Sequence, residues 1–297
     1  MVSIGLATAD TIVALPRWPS PDGRVRADEI SRGGGGPAAT AAVTVARLGH
    51  SSAIVGTIGT DRTGSEVRAA LEAEGVDISH VEESAGPTAE SVILVDRSSG
   101  TRAILHRPGA TLAALSDAAA DSCSAARWVH ADHAGAPLLA EIDPSRRSID
   151  EGTPIEGLEM TGVGIYAPSA DALRARFPGL GPHAAIRHVL AAGARRVVVT
   201  FGADGAIAAD ATGAWRAPGV TVPVVSTLGA GDVFHGALIA SMLDGLALPA
   251  ATRRANVAAA LSCAALDGRS GIPTAVELDA ALADAPEVEP VILEVSS

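Results

Sequence analysis

The chain has 297 residues, 47% of them hydrophobic and 19% charged, which suffices for one large core. A formal charge of −12 with 2% aromatic residues withholds the basic footprint and the stacking platforms of a nucleic-acid binder. No long uninterrupted apolar run marks a membrane span, and the opening "MVSIGLATAD" lacks a basic leader and reaches Asp10 before a signal core forms, so a cytoplasmic protein without membrane or nucleic-acid partners is expected.

In chain order, short runs rich in β-branched residues predict strands at 2–8, 52–56, 127–131, 163–167 and 196–201. Helices are predicted near 37–48, 63–74, 136–142 and 182–193, and the alanine-rich 112–126 has helix composition. The last third reads as strands at 205–209 and 219–225 followed by helices at 230–244 and 249–266. Strand alternating with helix implies an α/β fold, a mostly parallel sheet covered on both faces. Two segments break the alternation, 11–31 and 91–106; both look like strands with polar turns, and the second is a hairpin candidate. Together they suggest a small β-sheet lid formed by about 11–34 and 88–108, with plain surface hairpins as the alternative. Cys123 and Cys263 stand far apart without metal-ligand spacing and read as separate core thiols.

The stretch "RGGGGPAAT" at 32–40 excludes side chains for four residues. A dinucleotide fingerprint fits the letters, but that motif follows a buried apolar strand and here the preceding residues are "VRADEISR". Pro37 suits the first turn of a helix that Gly49 ends, so the glycines lead into a helix where a ligand can reach backbone amides and the Thr40 hydroxyl. A flexible joint between lid and body is the other reading. The second glycine motif, "VVSTLGAGDVFHGA" at 224–237, is a strand, a turn and an apolar helix. The amides of Gly229, Ala230 and Gly231 would converge at the helix's positive end, an anion site, with Asp232 in the first turn placed to accept a proton or to cap the helix.

The pair "GGPAATAAVTVARLG" at 35–49 and "STLGAGDVFHGA" at 226–237 resembles the two signatures of the PfkB (ribokinase-like) carbohydrate kinase family. The motifs "GLATAD", "VGTIGTDRTG" and "VTFGADG" match in the same order, so the resemblance covers essentially the whole chain. It implies a single ribokinase-like domain over 1–297, a doubly wound sheet with helices on both faces and a β lid. It also implies ATP-dependent phosphoryl transfer to a monosaccharide hydroxyl, with Mg2+ as cofactor. By the same resemblance Asp232 is the catalytic base and Gly229, Ala230 and Gly231 form the anion hole. Asp10, Gly35, Gly36 and Thr40 line the sugar pocket, and Thr200, Gly202, Gly205 and Asn256 lie along the nucleotide.

Departures accompany the match. The family commonly has asparagine at Thr40; its metal-positioning N-x-x-E falls on Ala167 to Ala170, leaving Asp171 as a substitute donor; and Ser226 replaces the aspartate linked to monovalent-cation activation. The segments "GGGPAATAAV", "GDVFHGAL" and "GRSGIP" are most similar to the 6-deoxy-6-sulfofructose kinase branch, where Arg24, His106 and Arg107 would cradle a terminal anion. A nucleoside kinase of the same fold, for which the lid offers Trp18, and a non-catalytic sugar sensor are the alternatives. Lid strands in this family often pair between subunits, which makes a homodimer an expectation.

Overall fold

The computed structural model describes residues 1–98 and 101–293. Positions 99–100, at the turn of the expected 91–106 hairpin, and 294–297, the end of the expected domain, lie outside them. Among the described residues a ten-stranded sheet forms the body and a four-stranded sheet stands apart from it. The body contains the parallel strands β1 (Val2–Ile4), β4 (Ala53–Gly59), β5 (Asp77–Ser84), β8 (Val129–Ala131), β9 (Arg147–Glu151), β10 (Ile165–Pro168) and β11 (Arg196–Thr200). An antiparallel extension follows, β12 (Gly205–Asp210), β13 (Gly213–Pro218) and β14 (Glu289–Pro290), giving the order β14-β13-β12-β11-β10-β9-β8-β1-β4-β5. The small sheet has the order β3-β2-β6-β7, from β2 (Thr8–Leu15), β3 (Glu29–Gly35), β6 (Glu90–Asp96) and β7 (Arg102–Arg107). Its central pair β2 and β6 is parallel and the outer pairs are antiparallel.

Helices cover both faces of the body. Helices α1 (Pro37–Arg47), α2 (Arg62–Ala73), α6 (Ala230–Leu243), α7 (Leu248–Ser262) and α8 (Ala275–Leu282) bury one core with residues such as Val43, Leu71, Phe234 and Leu238. Helices α3 (Asp117–Ala125), α4 (Ala170–Arg176) and α5 (Pro182–Ala191) enclose the other around Cys123, Tyr166, Leu173 and Ile186. Local chemistry sets their ends: Asp61 accepts the Gly64 N–H at 2.8 Å, Pro37 occupies the first turn of α1, and Thr274 with Glu277 closes a capping box on α8. Gly236 lets α6 approach α1, since a Cβ there would lie 2.6 Å from the Ala41 carbonyl oxygen. Both cysteines are buried free thiols.

The sheet differs from the sequence reading where short-range pattern misleads. The expected strand 2–8 is broken at Gly5, whose φ of +148° turns the chain out of the body and into the lid sheet. The expected helix 136–142 is a single 3-10 turn, Ala136–Leu139. The expected strand 219–225 is irregular; Val220, Val222 and Val224 instead form part of a cavity wall. Strands β5, β9 and β13 and helix α4 were not expected, and β9 carries two buried carboxylates.

Candidate active site

The parallel strands end at one edge of the body, where open α/β sheets place their ligand crevice. Two cavities lie there and meet at the N-terminus of α6. The smaller, about 340 Å³, lies against the four-stranded sheet and is lined by Thr8, Asp10, Gly34, Gly35, Gly36, Thr40, Ser91, His106, His133, Thr153, Gly229 and Asp232, with an apolar wall of Leu6, Ile93, Ile104 and Leu228. The larger, about 720 Å³, takes Thr200, Gly202, Gly205, Ala230, Gly231, Asn256 and Cys263. The two glycine motifs thus converge: Gly229 and Asp232 face one cavity while Ala230 and Gly231 face the other.

The α6 terminus is bare. Its N-cap Gly229 is left-handed at φ +73°, offers no side-chain cap, and meets the Gly268 backbone where a Cβ would stand, 2.8 Å from the Gly268 carbonyl oxygen. First-turn amides that no side chain satisfies, at the positive end of a fourteen-residue helix, suit an anion.

Clearance along the glycine run is taken by the protein itself. A Cβ on Gly34 would lie 2.1 Å from Nη1 of Arg269, one on Gly35 2.1 Å from Oδ2 of Asp10, and one on Gly36 2.2 Å from the Leu6 carbonyl oxygen. Gly36 also has φ +91°. The run therefore admits Arg269 and Asp10 against the backbone. Arg269 is buried, donating Nη2 to the Gly35 carbonyl at 2.7 Å and Nε to the Thr40 hydroxyl at 3.2 Å. Burial lowers its guanidinium to about 10, still charged at neutral pH beside Asp10 and Asp232. Asp10 accepts the Thr8 hydroxyl at 3.1 Å, and burial raises its carboxyl above the ordinary range against the pull of Thr8 and Arg269.

One consequence is testable at Gly35. Gly35→Ala must push the Asp10 carboxylate aside, and a charged acceptor contributes about 1.5–3 kcal/mol per hydrogen bond. The variant is expected to bind sugar at least about tenfold more weakly, which is roughly 1.4 kcal/mol. Calorimetry reads this, and unchanged sugar affinity would show that the carboxylate does not hold the ligand.

Behind Asp232, one turn along α6, lies His235. Its Nδ1 stands 3.2 Å from Asp150 Oδ2, and its Nε2 stands 3.1 Å from the Ala167 carbonyl, which only accepts, so Nε2 donates. Burial alone would lower this imidazole, but the Asp150 charge raises it above its ordinary value; Asp150 is correspondingly held down, its burial outweighed by His235. His130 completes the buried group, its Nδ1 3.2 Å from the Ser148 hydroxyl, with burial depressing it to about 3. Candidate ligand atoms of His130, Asp150 and His235 lie within 4.8 Å of one another, a nitrogen-rich set unlike the oxygen donors magnesium takes. Asp232 itself is raised to about 8, by burial first and then by the Asp150 charge, with His235 opposing. A carboxyl poised near neutrality suits a general base.

The chain's family is decided by a match to the model described as pfkB family carbohydrate kinase, over residues 1–142 and 178–275. The chain belongs to the PfkB family of carbohydrate kinases. It is 29% identical to the ATP-dependent ribose-1-phosphate kinase of Halopiger xanaduensis over 95% of this chain and 97% of that one. It is 30% identical to the fructoselysine 6-kinase of Shigella flexneri over 76% and 88%. Its fold superposes on ribokinase from Thermotoga maritima with a TM-score of 0.80 at 24% identity, covering 95% and 99%.

Within this kinase the remaining expected positions separate. His106 lines the smaller cavity, its Nδ1 3.3 Å from the Ser91 hydroxyl. Arg24 is exposed on the loop between β2 and β3, outside the cavity lining. Arg107 points to the other face of β7, donating to Glu90 at 3.0 Å and to the Thr88 carbonyl at 3.2 Å. Neither arginine is placed as an anion cradle. Asn256 turns its amide to the Pro218 carbonyl at 2.5 Å while bordering the larger cavity. Asp171 borders that cavity too, paired with Arg174 at 3.0 Å. Ser226 is buried and its hydroxyl accepts the Leu228 N–H at 3.2 Å.

Sequence reasoning missed Asp132, whose carboxylate accepts Leu6 N–H at 2.8 Å, Ala38 N–H at 3.2 Å, Ala134 N–H at 2.9 Å and Gly135 N–H at 3.0 Å. It caps α1 from a neighbouring strand and ties that helix to the β1–β2 bend. Gly5 makes room, since a Cβ there would lie 2.1 Å from Asp132 Oδ1. The other buried carboxylate of β9, Glu151, is consumed by Tyr166, Arg176 and the Ile155 N–H at 2.8 Å.

Proposed function

We propose that this kinase transfers the γ-phosphoryl group of ATP to a hydroxyl of an uncharged monosaccharide, a ketose or related sugar, held in the Asp10 cavity. The observation that carries this reading is the shared helix terminus: Asp232 and Gly229 line the sugar-sized cavity, and Ala230 and Gly231 line the nucleotide-sized one. Asp232 would take the hydroxyl proton while the α6 amides hold the oxygens on which charge develops. Asp10 orients the sugar, and Thr200, Gly202, Gly205 and Asn256 border the nucleotide. Asp204 on the larger cavity, with Asp232 at its junction, supplies hard carboxylate oxygens that suit Mg2+ bound to nucleotide phosphates, while Asp171 is engaged by Arg174. Magnesium would neutralise part of the phosphate charge.

The uncharged substrate follows from the lining. Among the described residues no arginine borders the smaller cavity, whose polar groups are the carboxylates of Asp10 and Asp232, two imidazoles and four hydroxyls. Arg269, behind the lining, is engaged by the Gly35 carbonyl and the Thr40 hydroxyl, so a terminal sulfonate or phosphate meets no free guanidinium in this lining and a fructose-like sugar suits the cavity better than a sulfofructose-like one. Its apolar wall is the feature that would receive the base of a nucleoside. Incubation with Mg-ATP and a panel of ribose, fructose, their phosphates, a sulfosugar and nucleosides, read by ADP release, tests this. Turnover with uncharged sugars is expected; turnover confined to anionic sugars would contradict it.

The whole chain would act as one kinase domain with residues 11–34 and 88–108 as its lid, working where ATP is available, in the cytoplasm. Among the described residues no helix is long and apolar enough to cross a membrane. Ile30, Val92 and Leu105 expose their side chains on one face of the lid sheet, which supports a homodimer through that face. A purely monomeric mass in sedimentation equilibrium would remove the dimer.

A further inference from the structure

Strand β7 crosses both cavities. Arg102, Ile104 and His106 alternate onto one of its faces; the last two border the smaller cavity and Arg102 borders the larger. Arg102 Nη1 donates to the Thr227 hydroxyl at 2.6 Å, bridging the lid to the turn that precedes the α6 terminus. No carboxylate among the described residues pairs with it. The other arginine on that cavity, Arg174, is spent on Asp171. The chain contains no lysine and carries a net charge of −12, while Asp132, Asp150 and Asp232 lie at or behind the phosphate end of the site. A polyphosphate entering this cavity therefore meets one cation not already matched by an acid.

We propose that Arg102 is a phosphate-binding residue delivered by the lid, which contacts the nucleotide polyphosphate beside the Ala230–Gly231 amides and so couples lid closure over the sugar to nucleotide binding. This rests on the assignment of the larger cavity to the nucleotide. Thr227 holds the guanidinium at the cavity mouth through a neutral hydroxyl, which orients the charge without cancelling it. Guanidinium donors suit phosphate oxygens in pairs, so one contact to Thr227 leaves others for the ligand.

The test is calorimetry of the full chain with Mg2+ and a non-hydrolysable ATP analogue, AMP or sugar alone, on wild type, Arg102→Gln and Arg102→Lys. Arg102→Gln is expected to weaken the triphosphate analogue about tenfold or more, the loss of one charge-assisted contact, while AMP and sugar change by less than about twofold. Arg102→Lys should recover part of the loss, and Thr227→Val should cost less than Arg102→Gln. Equal triphosphate affinity in Arg102→Gln, or an equal loss for AMP and triphosphate, would overturn the assignment. A wild-type protein that binds neither nucleotide would overturn the cavity assignment beneath it, and the two failures are thereby told apart.

Discussion

Asp232→Asn is expected to lower kcat by about two to four orders of magnitude while leaving nucleotide affinity within a few fold, because the substitution removes a proton acceptor and little volume. The same change should leave the fold intact and stabilise it at alkaline pH. The folded-state carboxyl is raised to about 8 by burial and by the Asp150 charge, with Asp132 adding and His235 and Arg269 opposing. Its unfolded counterpart ionises near the ordinary aspartate value. The native state therefore holds a proton that the unfolded chain releases, and stability falls as pH rises from the ordinary carboxylate range through about 8. Asparagine has no proton to lose, so the variant should melt several degrees above wild type at pH 8 and near it at pH 4. Lost turnover with a raised melting temperature identifies a strained functional carboxylate; near-wild-type turnover would remove Asp232 as the base.

The second large effect falls on Asp132, away from the reacting atoms. Asp132→Ala strands the N–H groups of Leu6, Ala38 and Ala134, all now accepted by one buried carboxylate, while the Gly135 N–H keeps the main-chain carbonyl of residue 132 at 3.1 Å. Each stranded buried donor costs about 1–3 kcal/mol, and water entering the vacated space recovers part, so a loss of at least roughly 3 kcal/mol is expected. Because Leu6 and the first turn of α1 also shape the sugar cavity, sugar binding should weaken in whatever fraction remains folded. Denaturant titration reads the first effect and calorimetry the second. Wild-type stability in this variant would mean that the three N–H groups find other acceptors.

Much of the architecture is written in short-range pattern. Apolar runs alternating with helical stretches declare a parallel α/β sheet, and each glycine motif names a helix start within a few residues. The turn at the start of α6 was legible because Gly229 to Asp232 are contiguous and their chemistry is local. What surrounds it was not. Asp132, Asp150, His235 and Arg269 come from the segment just after β8, from β9, from α6 and from a loop after α7, and only the fold assembles them. Strand β9 hides in "RSIDE", a charged five-residue segment that burial, not propensity, makes a strand. Conversely "VTVPVVS" has strand-like alternation, yet Pro223 interrupts it and its valines serve as cavity wall, with Val224 60% exposed. The four glycines show the same limit: the sequence says that something approaches their backbone, and the structure names Arg269, Asp10 and the Leu6 carbonyl.

A crystal structure of the ternary complex with an uncharged sugar and a non-hydrolysable ATP analogue would test the central claim, that two ligands meet at the α6 terminus, most directly. The sugar is expected against Asp10, Gly35 and Thr40, and the nucleotide along Thr200, Gly202 and Asn256. An acceptor hydroxyl is expected at hydrogen-bond distance from Asp232, about 2.6–3.2 Å, with the terminal phosphate at the amides of Ala230 and Gly231. Nucleotide in the Asp10 cavity, or a sugar with every hydroxyl out of reach of Asp232, would contradict it.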